Sequence, residues 1–132
     1  MNALRTPYYD AHSSEMRLND GAFEAEHAGS PVLVMPWGST KGVAREAYER
    51  LRKEGHNVGW AYTMFLNPVP EKLLEILKDT ELVIVPELNY QGQWSGLLRW
   101  LGVRAESVTQ YTGMPFKTGG LTERLAERVR QH

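Results

Sequence analysis

The chain has 132 residues, 42% of them hydrophobic and 23% charged, which is the balance of a folded globular protein with one core and excludes a wholly disordered chain. Fifteen Lys and Arg against sixteen Asp and Glu leave a formal net charge of -1 with no block of like charge, so nucleic acid and anionic membrane lose their usual electrostatic basis as partners. Zero cysteines exclude disulfides, thiolate metal sites, iron-sulfur ligation and thiol catalysis by this chain.

Residues 1–30 mix Asp, Glu, Asn, Gly and Ser with scattered aromatics and sustain neither a period of 2 nor one of 3.6. They are expected to form an arm or linker. Tyr8, Tyr9, Met16, Leu18 and Phe23 nonetheless give this stretch apolar groups with which to dock, for instance as an added edge strand. It contains no run resembling a signal peptide, and no stretch of the chain approaches the roughly 20 apolar residues of a membrane span, so a cytoplasmic protein is expected.

Residues 31–132 are expected to form a single α/β domain. Short apolar runs alternate there with amphipathic stretches, the pattern of repeated strand-helix units. "VLVM", Val32 to Met35, reads as a strand buried on both faces. Val43, Ala44, Ala47, Tyr48 and Leu51 follow at helical spacing, with Glu46 and Glu49 four residues ahead of Arg50 and Lys53 on the wet side, and Gly55 ends the helix. "VGWAYT", Val58 to Thr63, is the second strand. Pro70 can open a short second helix carrying Leu73, Leu74 and Leu77. "LVIV", Leu82 to Val85, is the third strand, and Trp94, Leu97, Leu98 and Leu101 mark the third helix. "SVTQYT", Ser107 to Thr112, is the fourth strand, and Leu121, Leu125 and Val129 line a terminal helix. The expected architecture is three-layered: a mostly parallel sheet with helices on both faces.

In such sheets ligands gather beyond the carboxyl ends of the strands. Gly38, Ser39, Thr40 and Lys41 lie there, at the start of the first helix, where free N–H groups attract an anion. The stretch "WGSTKG" matches neither G-x-G-x-x-G nor G-x-x-x-x-G-K-[ST], and Ser39 or Thr40 as a helix cap with Gly38 as a turn explains it equally. Glu87, with Asn89, Gln91 and Gln93 beside it, follows the third strand and reads as a ligand-binding or general-base group, or as a turn bonded to itself and to a neighbouring surface. His12, His27, His56 and His132 have no metal-ligand spacing, and no G-x-S-x-G elbow is present. Trp37, Phe65, Tyr90 and Phe116 fall just past the four strand ends, where aromatics make either core or a protein interface.

"WGSTKGVAREAYERLRKEG", "FLNPVPEKLLEIL", "VIVPELNYQGQWSGLLR" and "YTGMPF", in that order from about Pro31, resemble the carboxyl-terminal domain of the alpha subunit of 2-oxoacid:ferredoxin oxidoreductases, particularly the 2-oxoglutarate type. That domain is similar to the carboxyl-terminal domain of transketolase. The resemblance implies a parent complex that decarboxylates a 2-oxoacid on thiamine diphosphate with magnesium, passes electrons through iron-sulfur clusters to ferredoxin, and transfers the acyl group to coenzyme A. It also implies that those cofactors sit in other domains or subunits, since this chain has no G-D-G element and no cysteine. The chain would then be the last domain alone, as a fragment or as a separate polypeptide, with no catalytic residue of its own. Gly38, Ser39, Thr40, Lys41, Gly42, Asn67, Pro68, Glu87, Asn89, Gly92 and Gln93 carry over as shape-setting and domain-contact positions. With Trp37, Tyr90 and Phe116 they make an expected interface to other domains or subunits. The alternative from another class is a stand-alone module that binds a phosphate or the diphosphate part of coenzyme A at the first helix N-terminus.

Overall fold

Runs of Val, Leu and Ile too short for helices become the sheet, and the amphipathic stretches between them cover it. The structure, a computed structural model, describes residues 17–19, 23–37, 40–63, 69–87, 93–109 and 116–132. In chain order the elements are β1 (Arg17–Asn19), β2 (Phe23–Glu26), β3 (Val32–Val34), α1 (Lys41–Lys53), β4 (Val58–Thr63), α2 (Glu71–Lys78), β5 (Leu82–Glu87), α3 (Gln93–Trp100), β6 (Ala105–Thr109) and α4 (Thr118–Gln131). The strands form one sheet in the order β1-β2-β4-β3-β5-β6. β4, β3, β5 and β6 are parallel, while β2 runs antiparallel to β4 and β1 antiparallel to β2.

The parallel part is the α/β architecture expected from the alternation of strand and helix patterns. Two strands, β1 and β2, lie inside the stretch read as an arm or linker, so part of that arm is an edge of the sheet. β2 has the sequence Phe-Glu-Ala-Glu, with Phe23 and Ala25 buried and Glu24 and Glu26 half-buried, the alternation of a strand with one face in the core.

Two apolar layers flank the sheet. On one face Leu33, Met35, Val83 and Val85 meet Leu73 and Leu77 of α2 and Trp94 and Leu98 of α3. On the other, Val32, Val34, Val58 and Ile84 meet Ala44, Ala47, Tyr48 and Leu51 of α1 and Leu121 and Leu125 of α4. Alternate residues of β3 and of Leu82 to Val85 in β5 serve opposite layers, which is why these runs are apolar throughout.

Both α1 and α3 stop at a glycine with positive φ, Gly55 (91°) and Gly102 (93°). His56 N–H returns to Leu51 O and Gly55 N–H to Arg52 O. Val103 N–H likewise returns to Leu98 O and Gly102 N–H to Arg99 O. This paired closure satisfies the last carbonyls and sends the chain straight into the next strand. Gly59 meets a different demand: a Cβ there would stand 2.3 Å from both the His27 carbonyl oxygen and Leu33 Cδ2, so the turn after β2 can cross β4 only over a glycine.

Candidate functional site

The sheet order places β3 between β4 and β5, so the crossovers that leave β3 and β5 run in opposite directions. This is the switch point at which an α/β sheet ordinarily opens a ligand crevice. Here the described residues stitch it together. Trp37 N–H donates to Pro86 O at 3.2 Å, and Thr40 Oγ1, which lies 2.7 Å from Trp37 O and 2.8 Å from Pro86 O, bridges the exit of β3 to the end of β5. Trp37 then stacks on Trp94 of α3, with ring centroids 4.8 Å apart and planes 24° from parallel. Trp94 is 2% exposed.

The expected helix cap at Thr40 is corrected by this geometry. Thr40 holds an α-helical backbone conformation and its side chain makes no capping bond, because the hydroxyl is turned toward Pro86 and Trp37. Lys41 is also engaged. Its Nζ lies 3.4 Å from Glu24 Oε2 and 4.2 Å from the centre of the Tyr62 ring. Gly38 and Ser39, the other two members of the expected anion site, lie outside the described residues, as do Phe65, Asn67, Pro68, Asn89, Tyr90, Gln91 and Gly92. Gln93 opens α3.

Glu87 is wholly buried at the end of β5. Its carboxylate accepts from Trp94 N–H at 2.9 Å, from Ser95 N–H at 3.2 Å and from the Ser107 hydroxyl at 3.0 Å. The Ser95 and Ser107 hydroxyls also bond to each other. A carboxylate from a neighbouring strand therefore satisfies the first turn of α3, where free N–H groups and the helix dipole favour negative charge. Both carboxylate oxygens are engaged by these donors inside the domain. Phe116 is 8% exposed, lies in the core layer with Leu121 and Leu125, and is covered by Arg124, whose guanidinium stands 5.9 Å from the ring centre. Of the aromatics at the strand ends, Trp37 alone among the described ones keeps partial exposure.

A second polar cluster lies where β2 docks on α1 and corresponds to no motif of the sequence. Arg45 forms an ion pair with Glu26 at 2.5 Å and with Glu49 at 3.1 Å, and its guanidinium lies 5.2 Å from the ring centres of both Tyr48 and Trp60. Trp60 is fully buried, and its indole N–H donates to Glu24 at 2.9 Å. The signal was the alternation "FEAE", too brief to stand out in a polar stretch. Trp100, at 85%, is the one large apolar side chain left exposed among the described residues.

A cysteine-ligated cluster has no ligand in a chain without cysteine, and the described residues bring no three His, Asp or Glu together as a metal site. No described helix is long and apolar enough to cross a membrane.

Residues 30–111 match the family described as pyruvate:ferredoxin oxidoreductase core domain II. The chain is 36% identical over 107 residues to the 2-oxoglutarate oxidoreductase subunit KorA of Mycobacterium tuberculosis, covering 80% of this chain and 15% of that protein. To 2-oxoacid:ferredoxin oxidoreductase 1, subunit alpha, of Aeropyrum pernix it is 35% identical over 104 residues, covering 75% and 16%. Among solved structures, the 2-oxoglutarate:ferredoxin oxidoreductase from Magnetococcus marinus, with 2-oxoglutarate, coenzyme A and succinyl-CoA bound, is similar with a TM-score of 0.71 and 34% identity, over 81% of this chain and 19% of that one. The chain thus spans less than a fifth of each of these relatives.

Proposed function

We propose that this chain, which belongs to the pyruvate:ferredoxin oxidoreductase core domain II family, is the non-catalytic assembly domain of a thiamine-diphosphate-dependent 2-oxoacid:ferredoxin oxidoreductase of the 2-oxoglutarate type. The observation that carries the reading is the stitched switch point. Where a ligand-binding α/β domain opens a crevice, hydrogen bonds from Trp37 and Thr40 to Pro86 join the strand ends and two tryptophans stack across them. Glu87 fixes the start of α3 beside them. A rim held in this way offers a set shape to another domain or subunit and leaves the chemistry elsewhere.

On this reading thiamine diphosphate, magnesium and the iron-sulfur clusters reside in the remainder of the complex, whose domains and subunits are this chain's partners. Trp37, Asn67, Asn89, Tyr90, Gly92 and Gln93 belong to the contact surface, with Trp100 as a further anchor. A cytoplasmic location goes with the reading because the relatives are oxidoreductase subunits.

Affinity purification of the tagged chain from its source, with mass spectrometry of what is retained, should recover thiamine- and cluster-binding polypeptides. Calorimetry of the chain with thiamine diphosphate or 2-oxoglutarate should show no heat of binding. Tight binding of either would sink the assembly reading.

A further inference from the structure

β6 is the last strand of the sheet, and no described strand pairs with its outer side. The register matches Val83 to Ala105, Val85 to Ser107 and Glu87 to Thr109, and Val83 N–H donates to Arg104 O. In a parallel ladder of that phase the backbone groups of residues 104, 106 and 108 serve β5, so those of Ala105, Ser107 and Thr109 point outward. Such a row is a template for another strand, and a natural sheet must blunt it.

Two arginines reach that row from opposite faces. Arg99, near the end of α3, donates through Nη1 to Ala105 O at 3.0 Å. Arg124, in α4, donates through Nη1 to Thr109 O at 2.9 Å. The helices belong to different layers, α3 with the first core and α4 with the second, so the strand is gripped at both ends from both sides. Ser107 keeps the one outward carbonyl of the three that neither guanidinium takes.

We infer that Arg99 and Arg124 seal the β6 edge against strand addition, and above all against a second copy of this chain. An incoming strand would have to displace both guanidiniums from their carbonyls. At the opposite end of the sheet the described part of β1 has three residues, paired with β2.

The test is a double variant of the full chain, Arg99→Met with Arg124→Met, which keeps apolar stems over Phe116 and the sheet while removing the donors. Circular dichroism establishes folding. Sedimentation and hydrogen exchange should then show concentration-dependent self-association absent from the parent, with exchange at the Ser107 and Thr109 amides slowed by about tenfold or more in the associated form. If the double variant fails to fold, each single variant, which opens one end of the strand, is read the same way. Folded variants that keep the parent's size and exchange rates at all concentrations would overturn the proposal.

Discussion

Tyr48 and Glu87 are both buried polar groups, yet they have opposite consequences. The Tyr48 hydroxyl is buried without a hydrogen-bond partner among the described residues, and burial, with the charge of Glu26, pushes its pKa up to about 12. The native state therefore holds a proton that the unfolded chain gives up near pH 10, so this contribution is intact below that pH and is lost as pH rises toward 12. Tyr48→Phe should leave stability near neutral pH unchanged or raise it by up to about 1 kcal/mol. Thermal unfolding should also show a shallower alkaline decline in the variant than in the parent. An equal decline in both would place the alkaline sensitivity elsewhere. Glu87→Ala does the reverse, stranding the Trp94 and Ser95 N–H groups and the Ser107 hydroxyl in the core. Its cost should be about 3 kcal/mol or more in urea unfolding, with Glu87→Gln losing less because one acceptor oxygen remains. The identity of Glu87 as a notable residue was legible, because a carboxylate after a strand of Val and Ile is out of place. Its role was not, since the donors it serves come seven, eight and twenty residues later and only the fold brings them to it.

β2 is the element least visible in the sequence and most dependent on charge. Arg45 joins it to α1 through Glu26, and Lys41 and Trp60 hold Glu24. Arg45→Met should loosen β2 by about 2 kcal/mol, the worth of a charge-assisted hydrogen bond in partly buried surroundings. Amides of Ala25 and Glu26 should then exchange faster while those of β3 and β5 keep the parent's protection. Uniform acceleration would mean that β2 opens only with the whole sheet. The parallel strands were legible because each is an apolar run followed by a helical period. The expected fourth strand was placed two residues too late, since Ala105 and Glu106 add little to an apolar count and the outer edge of β6 tolerates a charge at Glu106. β5 instead runs two residues further than its apolar run, through Pro86 to Glu87, because the carboxylate there is paid off by the start of α3. No pattern in the sequence marks Arg99 and Arg124 as partners of one strand, since they sit on different helices in different layers.

The whole molecule is a small doubly covered sheet with one antiparallel margin, two separate apolar layers and a switch point tied shut by Trp37, Thr40 and Pro86. Its family was legible from four ordered motifs, of which the first three lie mostly within the described residues and the last mostly outside them. The strand order also dictates a timetable. β1 and β2 leave the ribosome first, yet the partner of Phe23 is Thr63, and β4 cannot be in place until β3 and α1 have given it a surface to lie on. β2 is therefore made before its partner and placed after it: for some forty residues of synthesis its strand pairing among the described residues is the short one with β1, and it joins a sheet that has already begun to form without it.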